Sequence, residues 1–208
     1  MKQHRENRDV PITSRKEYEF YLEADRLSLE IPRRRPRLFG DEIWKFQRLL
    51  RTMEYTLNCR RSLLWRPYLS FLSIRFHRMS MRLGYTIPPN VFGPGLAIAH
   101  RGTIVVNSCA RVGANCRLHV GVNIGTSAGT ERVAPTIGDN VYIGPGAIIF
   151  GRIQIADGVA IGANSVVNRS FTDPFITIAG APARKISDHG TEGLVIRGTE
   201  MAGQDRGG

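Results

Sequence analysis

The sequence predicts a mainly β solenoid, a parallel β-helix of hexapeptide repeats, preceded by an α-helical segment. Three observations carry this. Aliphatic residues recur every six positions at Val106, Val112, Leu118 and Ile124, and again at Ile137, Ile143, Ile149, Ile155, Ile161 and Val167. In most of these units the next position is glycine, alanine or asparagine, as in IGDNVY, IGPGAI, IADGVA and IGANSV. Neither a helix nor an alternating hairpin has a period of six, whereas short strands joined by tight turns do. The first 85 residues differ in both period and charge: 19 Lys+Arg against 10 Asp+Glu, a net of +9 out of the chain's +11. Two structural units are therefore expected.

The N-terminal region, 1–85, reads as helices. Ser14 and Glu17 have the spacing of a capping box and open a helix expected to run through Leu29. The prolines of IPRRRPRLFG (31–40) end it. Asp41 is the expected cap of a second helix, with Ile43, Phe46, Leu50, Met53 and Leu57 on one face. A third helix starts with Pro67 in its first turn, ends near Gly84 and is expected to bury Phe71, Leu72, Phe76 and Met79.

The repeats occupy 86–186. Each aliphatic residue points inward, and the small residue after it lets the backbone turn. The interval from Ile124 to Ile137 is 13 residues, so TSAGTERVAPT must leave the coil as a loop. A loop on a rigid scaffold is a common place for binding residues, and also a tolerated surface insertion. Residues 187–208 are dominated by glycine and polar residues and are expected to form a flexible tail.

Composition narrows the function. No apolar run is long enough to span a bilayer, and MKQHRENRDV lacks the apolar stretch of a signal peptide. A cytoplasmic protein is expected. Cys59, Cys109 and Cys116 form no CxxC pair, which argues against a disulfide framework or a thiolate zinc site. RRRPR at 33–37 could attract nucleic acid, anionic lipid or an acidic polysaccharide. The chain has no recognised nucleic-acid-binding motif and its arginines are scattered, so a solvated basic face is the expectation and nucleic acid is not.

The segment GLAIAHRGTIVVNS (95–108) sets one histidine, His100, among short aliphatic residues. Alone it would read as a hydrogen-bonded structural residue. Its context is IPPNVFGPGLAIAHRGTIVVNSCARVGANC, then IGDNVYIGPGAIIFGRIQIADGVAIGANSVV and AGAPARKI. Over 86–186 this order resembles the serine acetyltransferase-like branch of the hexapeptide acyltransferases, which includes enzymes acting on sugars. The resemblance implies a left-handed β-helix, a homotrimer, and acetyl-CoA as acyl donor bound between neighbouring subunits. It also implies that His100 is the general base, and the chemistry fits. Acetyl transfer to an alcohol needs the hydroxyl proton removed, which a neutral imidazole does near neutral pH.

At about eighteen residues per coil, His119 is expected one turn beyond Arg101 and beside His100, able to contact an acceptor or only to stack. The two histidines also raise a zinc β-helix resembling γ-type carbonic anhydrase, but the repeats hold no third histidine, so no metal is expected. For coenzyme A the resemblance points to Thr126 beside the loop, Pro145 and Ala163 on the coil walls, and Arg184 and Lys185 near its end. Pro145 stands where alanine is usual and has no N–H to donate.

Several positions depart from the serine-specific enzymes. Their aspartate that orients the base aligns near Tyr85–Thr86, where this chain has no acidic residue. Their loop carries an Arg-His pair before a proline to hold a carboxylate; here Val133 and Ala134 precede Pro135, and Arg132 lies one place early. Their C-terminal isoleucine docks to cysteine synthase, while this chain ends GQDRGG, so that complex is not expected. Losing the clamp weakens serine more than acetyl transfer itself. The sequence therefore points to an O-acetyltransferase acting on a sugar or surface-polysaccharide precursor, with Arg132 and His119 as acceptor-binding candidates. Serine acetylation is the alternative, and a non-catalytic binding scaffold is the alternative of another class.

Overall fold

The computed structural model describes residues 11–129 and 133–204. The chain begins with helices α1 (Arg15–Ser28), α2 (Glu42–Cys59) and α3 (Arg66–Leu83), the last entered through a 3-10 turn at Leu63–Trp65. Among the described residues no helix is long and apolar enough to cross a membrane.

The sequence placed the helix starts well and their chemistry less well. Ser14 caps α1 by accepting from the Glu17 N–H, while the Glu17 carboxylate turns back to the Thr13 N–H and hydroxyl. Asp41 occupies the N-cap position of α2 as expected, but its side chain makes no capping hydrogen bond. It sits in the left-handed region at φ 58°, and its carboxylate is taken by the Arg33 side chain and the Arg37 N–H. In α2, Phe46, Leu50 and Met53 are buried as expected, but Leu57 in the last turn is 39% exposed. In α3, Leu72 is buried and Phe76 and Met79 pack partly, whereas Phe71 is 53% exposed on the side away from α2. Gly84 ends α3 at φ 79°, a conformation glycine adopts without strain.

From Tyr85 the chain winds into a three-sided parallel β-helix. One side holds β1 (Tyr85–Thr86), β3 (Ile104–Val106), β6 (Asn123–Gly125), β9 (Ile148–Phe150) and β12 (Val166–Val167). The second holds β4 (Arg111–Val112), β7 (Thr136–Ile137) and β10 (Gln154–Ile155). The third holds β2 (Ala97–Ile98), β5 (Arg117–Leu118), β8 (Tyr142–Ile143), β11 (Ala160–Ile161) and β13 (Thr177–Ala179). It is closed by β14 (Arg184–Ser187), which runs antiparallel to β13. The hexad residues stack inside as expected: Val106 pairs with Ile124, Ile124 with Ile149, and Ile149 with Val167.

The register shows where the coil departs from its period. Val106 to Ile124 is eighteen residues, but Ile124 to Ile149 is twenty-five, so the loop after Ile124 inserts seven. Ile98 pairs with Leu118, twenty residues on, so the corner between Ile98 and Val106 is two residues wider than a hexad. His100 lies in that wide corner.

The helical region and the coil are not separately cored. Phe46 and Leu50 of α2 join the same buried cluster as Leu83, Tyr85, Ile98 and the coil interior. The end of the chain also differs from the expected tail. Thr191 donates its hydroxyl to the Asn140 carbonyl, and Gly198 and Thr199 bond Ser28 and Asn115. A seven-residue helix, α4 (Gly198–Gln204), packs on α1 and buries Ala202. Gly198 allows the close approach: a Cβ there would stand 2.2 Å from the Ala24 carbonyl oxygen.

Candidate active site

The first turn of a solenoid has no coil beneath it, so its backbone polar groups need other partners. Here side chains from α1 and α2 supply them. Asp25 accepts from the N–H groups of Gly95 and Leu96, both at 2.9 Å. Arg51 donates to the carbonyls of Phe92 (2.8 Å) and Gly93 (2.7 Å). Gln47 donates to the Leu96 carbonyl and accepts from the Ile98 N–H, and Glu54 accepts from the Asn90 N–H. All four side chains are buried.

Arg51 is also paired with Asp25 at 2.8 Å and Glu54 at 3.0 Å. Burial pushes both carboxyls up against the pull of Arg51. Burial would lower the Arg51 guanidinium, but its two carboxylates more than reverse that. The segment leading to His100 is thus fixed atom by atom from outside the coil.

His100 follows directly and is exposed. The Tyr85 hydroxyl donates to its backbone carbonyl at 2.9 Å, and burial pushes the Tyr85 phenol up to about 12. Tyr85 therefore holds the corner's backbone at the place where the related enzymes are expected to carry an aspartate. The cleft beside His100 and Arg101, about 540 Å³, is faced by Asp41, Glu42 and Trp44 at the start of α2.

The structure brings His119 to His100 as the repeat predicts. Their ring centroids are 5.9 Å apart, and Tyr142 lies 5.0 Å beyond His119. Burial lowers the His119 pKa, with further lowering by Arg117 and His100. Its Nε2 is buried without a hydrogen-bond partner in the structure. A neutral imidazole fits that setting. Among the described residues no three His, Cys, Asp or Glu side chains gather in a way that could hold a metal.

The other candidates separate by edge. The corner of His100, the His119–Gly121 turn, Pro145 and Ala163 succeed one another along one edge of the prism. N–H groups of Gly121, Gly146 and Asn164 link them to the carbonyls of Thr103, Val120 and Pro145. Ala163 and the Pro145 ring are exposed there, and the Pro145 carbonyl already accepts from Asn164. Thr126, half-buried, begins the loop on the next edge, so one chain does not bring it to His100. Arg184 and Lys185 are exposed on β14, where Lys185 is paired with Asp188. Arg132 lies outside the described residues.

Sequence reasoning missed Tyr85, Tyr142 and the Asp25–Arg51–Gln47 set. Tyr142 does stand at the outward position before Ile143, but the seven-residue insertion hid its register with Arg117.

A family model described as bacterial transferase hexapeptide (six repeats) matches residues 134–169. A serine acetyltransferase of Synechococcus elongatus is 37% identical over 112 residues, covering 53% of this chain and 46% of that protein. One from Staphylococcus aureus is 37% identical over 110 residues, 51% of each chain. The chain spans about half the length of the curated relatives it matches. Among solved structures, serine acetyltransferase from Brucella abortus in complex with coenzyme A superposes with a TM-score of 0.67 at 27% identity, covering 85% of this chain and 70% of that one. The Neisseria gonorrhoeae enzyme in complex with serine gives 0.63 at 29%, covering 84% and 71%. These likenesses add the left-handed sense to the three-sided coil, and in sequence and fold together they make the chain similar to the serine acetyltransferases, with hexapeptide repeats matched at 134–169.

Proposed function

We propose that this protein is an acetyl-CoA-dependent O-acetyltransferase with His100 as general base and L-serine as acceptor. The observation that carries it is the placement of His100: exposed, at a widened corner, with the backbone leading to it locked by α1 and α2. A base held on such a frame keeps its aim without reorganising during reaction. The acceptor hydroxyl gives its proton to the imidazole as its oxygen attacks the thioester carbonyl. The carbonyl then reforms, the C–S bond breaks, and the imidazolium returns the proton to the departing thiolate, leaving the acetyl ester and free CoA.

The edge running from His100 past Pro145 to Ala163 is open enough for an extended ligand, and Arg184 offers a cation for its phosphates. Thr126 on the neighbouring edge would join it only across a subunit boundary, which supports a homotrimer with sites between copies.

The sequence alone favoured a sugar-type acceptor; the relatives, named as serine acetyltransferases, favour serine. One observation keeps the sugar reading as second. Val133 and Ala134 stand where a carboxylate clamp is expected, and neither side chain can pair with a carboxylate. Release of CoA thiol from acetyl-CoA, followed with L-serine and with a panel of sugars and nucleotide sugars, separates the two. Saturable turnover with serine and none with sugars supports the first reading. Turnover confined to a sugar establishes the second, and no binding of acetyl-CoA overturns both.

A further inference from the structure

Helix α3 touches the rest of the protein along one side only, through Leu69, Leu72, Phe76, Met79 and Leu83. Of its eighteen residues just Leu72 and Leu83 are buried. On the opposite side Phe71, Ile74, Arg78 and Met81 follow at spacings of three, four and three, a single stripe along the helix. Phe71 is 53%, Ile74 55% and Met81 72% exposed. The turn that leads into α3 adds Leu63 and Leu64, at 71% and 89%.

The charge around this stripe is of one sign. Between Arg60 and Leu83 there are six arginines (60, 61, 66, 75, 78 and 82) and no aspartate or glutamate. None of the six forms an ion pair among the described residues. Arg60 lies over the Trp65 ring at 4.7 Å and Arg75 over Phe71 at 5.6 Å, so aromatic and cationic groups share one surface. A second copy of the same face would set six arginines against six. Helix α3 is too polar to span a bilayer, yet it combines apolar side chains with flanking arginines, the pattern of a helix lying in a lipid interface.

From this we propose that the Leu63–Leu64 turn and the outer side of α3 dock the protein onto an anionic lipid bilayer. Leu63, Leu64, Phe71 and Ile74 enter the acyl boundary. The arginines extend their stems along them and set their guanidinium groups at lipid phosphates. The proposal is independent of the acceptor and of the base chemistry. Its consequence is that the chain, whose described residues include no helix able to cross a membrane, works at a membrane surface.

The test is co-sedimentation of the full chain with vesicles of phosphatidylcholine alone and of phosphatidylcholine with phosphatidylglycerol at three to one. Binding is expected only to the second, with a loss of about tenfold in apparent affinity in 0.5 M NaCl. Leu64→Ser/Phe71→Ser and, separately, Arg75→Gln/Arg78→Gln should each weaken it about tenfold. Unchanged thermal melting and oligomer mass would confirm that both variants remain folded. Failure of the wild-type chain to bind anionic vesicles overturns the proposal. So does binding that neither double variant weakens, which would assign it to arginines elsewhere. A change of oligomer mass in the Leu64/Phe71 variant, with no vesicle binding by wild type, would instead make this face a contact between protein chains.

Discussion

His100 and His119 stand one coil apart on the same edge, yet their surroundings assign them different work. His100 is exposed, while His119 is half-buried with an unpartnered Nε2 and a pKa below its ordinary 6.5. Because the unfolded chain protonates this group more readily than the folded one, His119 costs no stability above about pH 6.5. As pH falls from there through the lower folded value, stability is lost. His119→Gln should therefore flatten the decline in melting temperature between pH 7 and pH 5, since glutamine does not titrate. An identical decline in the variant and the wild type would show that burial of His119 does not govern the acid limb. At this scale the sequence was informative about position. The motif singled out His100 and the coil period placed His119 beside it, but burial, which decides protonation, depends on Tyr142 arriving across a seven-residue insertion.

Helices α1 and α2 serve as the cap of an open solenoid end. Asp25, Gln47, Arg51 and Glu54 replace the hydrogen bonds a preceding coil would have made. Removing Arg51 alone leaves two buried carboxylates without their cation, so Arg51→Ala should destabilise the fold by about 3–5 kcal/mol. Urea unfolding measures this directly, and a loss under 1 kcal/mol would show that the cluster does not carry the cap. Replacing Arg51, Asp25 and Glu54 together by Met, Asn and Gln should recover part of the loss, because no unpaired charge remains.

The repeat half of the fold was legible because a six-residue period has one structural solution. The cap was not. Helical periodicity marks Leu50 and Met53 as inward, but nothing local distinguishes Arg51 from the exposed arginines around it. Asp41 shows the same limit, since its cap-like position was overruled by Arg33 and Arg37, supplied by the preceding loop.

For the whole molecule, the three-sided coil puts His100 and Thr126 on different edges, and the proposed site needs both. A homotrimer is expected, with a solution mass about three times the 23.2 kDa chain by light scattering. A monomer that turned over acetyl-CoA would refute the shared site. The C-terminal segment belongs to this scale as well: Thr191, Gly198 and Thr199 tie it to Asn140, Ser28 and Asn115, linking residues 191–199 and the end of α1 to one coil corner. Its glycine-rich composition gave no sign of this, because the contacts are backbone and hydroxyl hydrogen bonds with no apolar period. The central claim is that His100 is the base of an acetyl transfer, and the most direct measurement compares wild type with His100→Ala under saturating acetyl-CoA and acceptor. CoA thiol release should fall by roughly 10²–10⁴-fold in the variant while the trimer and acetyl-CoA binding persist. Turnover within a few-fold of wild type, in a folded variant that still binds acetyl-CoA, would contradict it.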